Sequence, residues 1–291
     1  MAKDRYSALW VSHTSLGDYL RCPRAYYLKN IYKDSKTGHK IQISSPALAL
    51  GASVHEVVES LSTIPFETRF DESLVLKFDQ VWEKYAGKRG GFKDLDHEHQ
   101  FKERGKAMLR RVMEHPGPLK NRAVKINQDL PSYWVSEEDN IILCGKIDWL
   151  EYLPESDSVN ILDFKTGKKK EEKESLQLPI YLLLVRNCQK RSVSKASYWY
   201  LETDNLPVEV SLPSTDQAKD TILKIAREMK LAKKLTKFNC PQGKDGCRYC
   251  QPFESILNHQ AEFVGESEYH QDMYILAETE SVIEEEDSYL I

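Results

Sequence analysis

Two aspartates and a lysine, Asp148, Asp163 and Lys165, flank a turn-rich break at Pro154-Glu155-Ser156-Asp157. The runs on either side alternate apolar and polar residues, the signature of a hairpin. A hairpin symmetric about the Glu155–Ser156 bond sets Asp148 directly opposite Asp163, with Cβ atoms about 4.5–5.5 Å apart on one face. Lys165 lies two residues beyond Asp163 and shares that face, while Ile147, Trp149, Leu162 and Phe164 turn to the other, into a core. Carboxylates this close stay ionised together only with positive charge between them. A divalent cation is the usual answer, and oxygen ligands suit Mg²⁺ or Mn²⁺. The lysine is then placed to activate water or to offset phosphoryl charge. The plain alternative is a surface hairpin with an Asp–Lys ion pair.

Cys240, Cys247 and Cys250 place three thiols within eleven positions, with Pro241, Gly243 and Gly246 for tight turning. That is ligand spacing, and Cys22 is the best candidate for a fourth ligand. Cys144 and Cys188 lie in hydrophobic stretches and read as core. Four thiolates suit a 4Fe–4S cluster or Zn²⁺, and spacing does not separate the two. Either metal would be structural, closing a very long loop between the chain's N-terminal helix and its C-terminal part.

These groups need elements to position them. Residues 12–32 carry a helical apolar period that Ser12 or Thr14 is placed to cap, interrupted at Pro23. Residues 47–64 form a second helix with His55 and Glu59 four apart; His55 is a satisfied core histidine or a metal ligand. Gly51, one turn earlier, admits a close neighbour. Helices are expected over 71–85 and 98–115, the latter rich in Lys and Arg that read as solvated face or phosphate track. From residue 122 the period changes to two, giving strands at 124–135, 140–153 and 159–165. The run Lys168-Lys169-Lys170 follows. Helix 171–187 carries Gln177 and Tyr181 on one face, with Pro179 awkward unless a first turn begins there. Strands at 194–201 and 208–212 and a helix at 215–237 complete the body.

The 291 residues carry a formal charge of −4, unevenly spread. Ten of the 45 acidic residues fall between Glu262 and Ile291, which contain no Lys or Arg, so the preceding body is +6. A basic body suits a polyanionic partner. The expected organisation is one domain over 1–260, with a helical insert near 65–120, and an acidic tail over 261–291, read foremost as a disordered extension. No apolar run reaches membrane-spanning length and no signal peptide opens the chain, so a cytoplasmic, membrane-free protein with reduced thiols is expected.

Taken together, the motifs resemble the RecB-like branch of the PD-(D/E)xK nucleases. His55 in Leu50-Gly51-Ala52-Ser53-Val54-His55 matches the branch's upstream histidine, Gly145-Lys146-Ile147-Asp148 its Gly-x-x-Asp, Asp163-Phe164-Lys165 its Asp-x-Lys, and Gln177 to Tyr181 its Gln-x-x-x-Tyr. The one-plus-three cysteines resemble its iron–sulfur members, which include CRISPR-associated exonucleases. The resemblance implies an α/β (α+β) restriction-endonuclease-like core, a mixed central sheet flanked by helices. It implies Mg²⁺ or Mn²⁺ held by His55, Asp148, Asp163 and the Phe164 carbonyl, with Lys165, Gln177 and Tyr181 completing the catalytic set. It further implies a 4Fe–4S cluster on Cys22, Cys240, Cys247 and Cys250, and DNA tracked by Lys168, Lys169 and Lys170. Partners would be DNA and a CRISPR integrase or a separate helicase, since the chain carries no Gly-rich phosphate loop of its own.

Overall fold

The computed structural model describes residues 4–172 and 174–276. In chain order the elements are β1 (Leu9–Val11), α1 (His13–Arg21), α2 (Pro23–Tyr26), β2 (Lys40–Ile43), α3 (Pro46–Ser60), α4 (Leu74–Trp82) and α5 (Leu95–Glu114). Then come β3 (Ser132–Ser136), β4 (Ile141–Cys144), β5 (Trp149–Leu153), β6 (Ser158–Lys165), α6 (Gln177–Cys188), β7 (Ser192–Tyr200) and β8 (Val208–Glu209). α7 (Thr215–Leu235), α8 (Gln251–Leu257), β9 (Ala261–Glu266) and β10 (Gln271–Leu276) follow.

The mixed central sheet has the order β5-β6-β7-β8. β6 runs antiparallel to β5 and parallel to β7. Trp149 pairs with Leu162 and Leu153 with Ser158, so the hairpin is centred on the Glu155–Ser156 bond. Every residue of β6 is buried. Its two faces feed two cores, as alternation along a strand requires. Val159 and Ile161 join Leu150, Ala196 and Tyr198 against α6 and α7. Leu162 and Phe164 join Trp149 and Trp199 against α3, α4 and α5. Ile147 departs from the expected side and packs with the first core. It precedes β5, where no ladder enforces alternation.

Elsewhere the strands are shorter than their apolar runs. Of 124–135, only the end beyond Pro131 is strand, and 140–153 is cut in two at Gly145. A Cβ on Gly145 would stand 3.0 Å from Leu184 Cδ1, so the bare backbone lets this break sit tight on α6. α6 starts at Gln177 rather than 171, which places Pro179 in the first turn, where no backbone donor is lost. Ser12 caps α1 in a reciprocal capping box with Ser15. The acidic segment from 261 is not wholly the disordered extension expected: β9 and β10 form a hairpin, and β10 adds to β2 in parallel. The pairing buries Ile41 and Ile43, and Asp272 accepts a hydrogen bond from the Thr37 hydroxyl at 2.6 Å. Residues 277–291 lie outside the described residues.

Candidate active site

The register that pairs Trp149 with Leu162 carries Asp148 to the position facing Asp163, at the C-terminal end of β6. Both aspartates are buried, as is Lys165, which excludes the surface ion pair. Asp148 Oδ2 accepts the Phe164 amide at 2.9 Å, which ties the two strands at this point. α6 supplies the next layer. Gln177 Nε2 donates to Asp163 Oδ1 at 2.5 Å and to the Tyr181 hydroxyl at 3.2 Å, while Gln177 Oε1 accepts from Lys165 Nζ at 2.5 Å. One amide thus orients both the acid and the lysine of Asp-x-Lys. From α3, His55 Nδ1 reaches to 3.6 Å from Asp148 Oδ2 and 3.4 Å from Glu59 Oε1. α3 lies this close because Gly51 has no side chain: a Cβ there would meet Thr166 Oγ1 at 3.3 Å.

Burial raises the pKa of Asp148, with the Glu59 charge adding to it and the Phe164 amide opposing. Burial likewise pushes Asp163 up to about 7; Lys165 opposes and Asp148 reinforces. Burial pulls Lys165 down, but Asp163 (Oδ2 at 3.1 Å) and Glu171 (Oε1 at 2.9 Å) outweigh it and hold the ammonium above its ordinary value. At this site His55 Nδ1 and Asp163 Oδ2 are buried without a well-formed hydrogen bond, each facing a charged neighbour, Glu59 Oε1 at 3.4 Å and Lys165 Nζ at 3.1 Å. Buried polar atoms are rarely left so. An imidazole and three carboxylates gathered at one buried point fit a bound divalent cation. His55, Glu59 and Asp148 each offer an atom within 4.8 Å of the others, so they are the tightest ligand group here.

Three neighbours escape a sequence reading. Glu59 shows there only as a helical partner of His55; its approach to Asp148 needs the packed structure. Glu171 comes from an irregular loop, and its amide is fixed by the Tyr200 hydroxyl at 2.9 Å. His13 opens α1 and lines a small cavity of ≈ 30 Å³ with His55, Lys165, Thr166 and Gln177. Burial, then the Lys165 charge, lowers its pKa to about 4, so the imidazole is neutral.

A cleft of ≈ 1200 Å³ opens on the other side of His55, walled by Glu59, Lys84, Arg89, Lys125, Lys146 and the β9–β10 turn at Tyr269. Lys168, Lys169 and Lys170 line neither cavity; they form an exposed bend after β6, with Lys168 3.9 Å from Glu202. The basic residues of α5 are largely spoken for. Lys102 and Lys106 pair with Asp79, and Arg104 with Glu202, so that helix is a solvated, internally paired face and not an open phosphate track. Tyr26 is buried against Tyr19 and Phe238, as a core residue. The four cysteines Cys22, Cys240, Cys247 and Cys250 converge at a separate centre.

A mixed sheet delivering paired acids and a lysine from adjoining strands is a restriction-endonuclease-like arrangement, and it marks a nuclease-type protein. The chain belongs to the PD-(D/E)XK nuclease superfamily, whose profile matches residues 10–255. A search of curated proteins finds no match. Among the described residues, no helix is long and apolar enough to cross a membrane.

Proposed function

We propose that the protein is a metal-dependent deoxyribonuclease, an exonuclease acting on single-stranded DNA or DNA ends. The observation that supports this most is the buried convergence of Asp148, Asp163 and Lys165 with His55 3.6 Å from Asp148. His55, Asp148, Asp163 and the Phe164 carbonyl would hold Mg²⁺ or Mn²⁺, with Glu59 a further ligand. The ion, when bound, polarises the scissile phosphate and lowers the pKa of its water. Lys165, held protonated by Asp163 and Glu171, suits charge stabilisation at phosphorus better than proton abstraction. Gln177 keeps Lys165 and Asp163 in register, and Tyr181 anchors Gln177. Lys125 and Arg89 give the cleft cationic side chains for a DNA backbone, Arg89 also donating to the Glu266 carbonyl, while Lys84 pairs with Glu56 and Lys146 with Glu59; Lys168, Lys169 and Lys170 lie outside it as a second contact.

We infer a role in spacer acquisition or recombinational repair, alongside an integrase or a separate helicase; the motifs shared with CRISPR-associated and recombinational nucleases support this reading. The test is cleavage of end-labelled single-stranded and duplex DNA with Mg²⁺, Mn²⁺ or EDTA. We expect metal-dependent shortening from ends, lost in Asp163→Asn and Lys165→Ala. Equal cleavage by wild type and both variants would overturn the assignment, and so would cleavage that survives EDTA.

A further inference from the structure

Cys22 sits at the hinge where α1 ends and α2 begins, and Cys240, Cys247 and Cys250 lie in the turns before α8. Cys22, Cys247 and Cys250 are buried in an apolar shell that includes Ala25, Leu28, Tyr249 and Phe253. All six cysteines are free. The four Sγ atoms lie within 4.8 Å of one another, and those of Cys247 and Cys250 are 3.8 Å apart. That is far beyond a disulfide bond of about 2.0 Å.

The spacing discriminates between the two metals that four thiolates accept. A tetrahedral ion with metal–sulfur bonds of about 2.3 Å has its sulfurs about 3.8 Å apart. In a four-iron cubane each thiolate caps a different corner, and the sulfurs stand about 6 Å apart. Sulfurs within 4.8 Å of one another match a single tetrahedral ion and would have to part by about 1 Å or more to cap the corners of a cubane. The backbone is shaped for that closeness. A Cβ on Gly246, which has φ +78°, would stand 3.1 Å from Cys250 Sγ. The Cys247 amide donates to Cys250 Sγ at 3.2 Å and the Ala25 amide to Cys22 Sγ at 3.4 Å, so each of these sulfurs accepts a bond that supports thiolate charge.

We propose that Cys22, Cys240, Cys247 and Cys250 bind one Zn²⁺ tetrahedrally, and that the 4Fe–4S cluster implied by the resemblance does not form in this chain. With four thiolates the ion has no open position, so it serves structure and not DNA cleavage.

Full-length protein is produced with iron and zinc both supplied, purified without oxygen, and assayed for metals, acid-labile sulfide and visible absorbance. The expected result is one zinc per chain, no sulfide and a colourless solution. Zinc release by a thiol-reactive mercurial should expose four thiols, and Co²⁺ in exchange should give the absorption of a tetrahedral thiolate site. Cys240→Ser, at the half-buried ligand, should lose most of the zinc, while Asp163→Asn should keep it all. Brown protein with about four irons and four sulfides per chain would overturn the proposal. So would metal-free protein whose thiols react at once and take up no zinc. Because these readouts do not involve DNA, they stand or fall apart from the nuclease assignment.

Discussion

Asp163 has an environment that penalises its charge until a cation arrives. Its pKa stands at about 7 against an ordinary 3.8, raised by burial. A raised acid binds more protons folded than unfolded, so its contribution to stability falls as pH rises from about 4 to about 7. EDTA-treated protein should therefore lose Tm across that window, and Asp163→Asn should flatten the loss. Mg²⁺ or Mn²⁺ should raise Tm more at pH 8 than at pH 5; a metal effect independent of pH would refute this account of the site. On activity, Asp163→Asn should cost at least about a hundredfold, and Glu59→Gln should raise the metal concentration needed for half-maximal cleavage. The opposition of Asp148 and Asp163 was legible because a turn centre fixes a hairpin's register, and register fixes faces. Glu59 was visible only as an ordinary i, i+4 pair, and His13 had no periodicity or motif to single it out. Their roles arise from α3 and α1 packing onto the end of β6, a relation that a linear pattern does not encode.

At the scale of elements, the site depends on close contacts made without side chains. Gly145→Ala brings a methyl to 3.0 Å from Leu184 Cδ1 and should destabilise the fold by about 1–3 kcal/mol, measured by denaturant unfolding. It should also lower activity, since the displaced segment carries Asp148. Gly51→Ala faces only a hydroxyl at 3.3 Å and should be milder in stability. Helix periods and caps were readable at Ser12, and Pro179 correctly questioned a helix beginning at 171. The strand at 124–135 was over-read: its start touches β5 only through an isolated bridge at Ala123 and the bond from Val124 to the Leu150 carbonyl, and the chain then forms no strand until Ser132. The basic surface of α5 was unreadable as paired, because Asp79 and Glu202 come from other parts of the chain.

The whole molecule is closed by contacts between its ends. β10 pairs with β2, and Arg24 on α2 binds Glu254 on α8 at 2.5 Å. The C-terminal hairpin was hidden in the sequence because its acids outweighed its alternating Met273, Ile275 and Tyr274, Leu276. Truncation after Gln260 should thus lower Tm clearly by uncovering Ile41 and Ile43; a Tm unchanged from the full-length protein would refute a structural role for β9–β10. α1 is nine residues long, about 13 Å. At one tip is the thiol Cys22 and at the other the imidazole His13, beside Lys165. A short rod fastened at its far tip transmits slack as well as order. Peroxide or a mercurial acting on sulfur should therefore blunt DNA cutting from a distance, and reductant with zinc should bring it back.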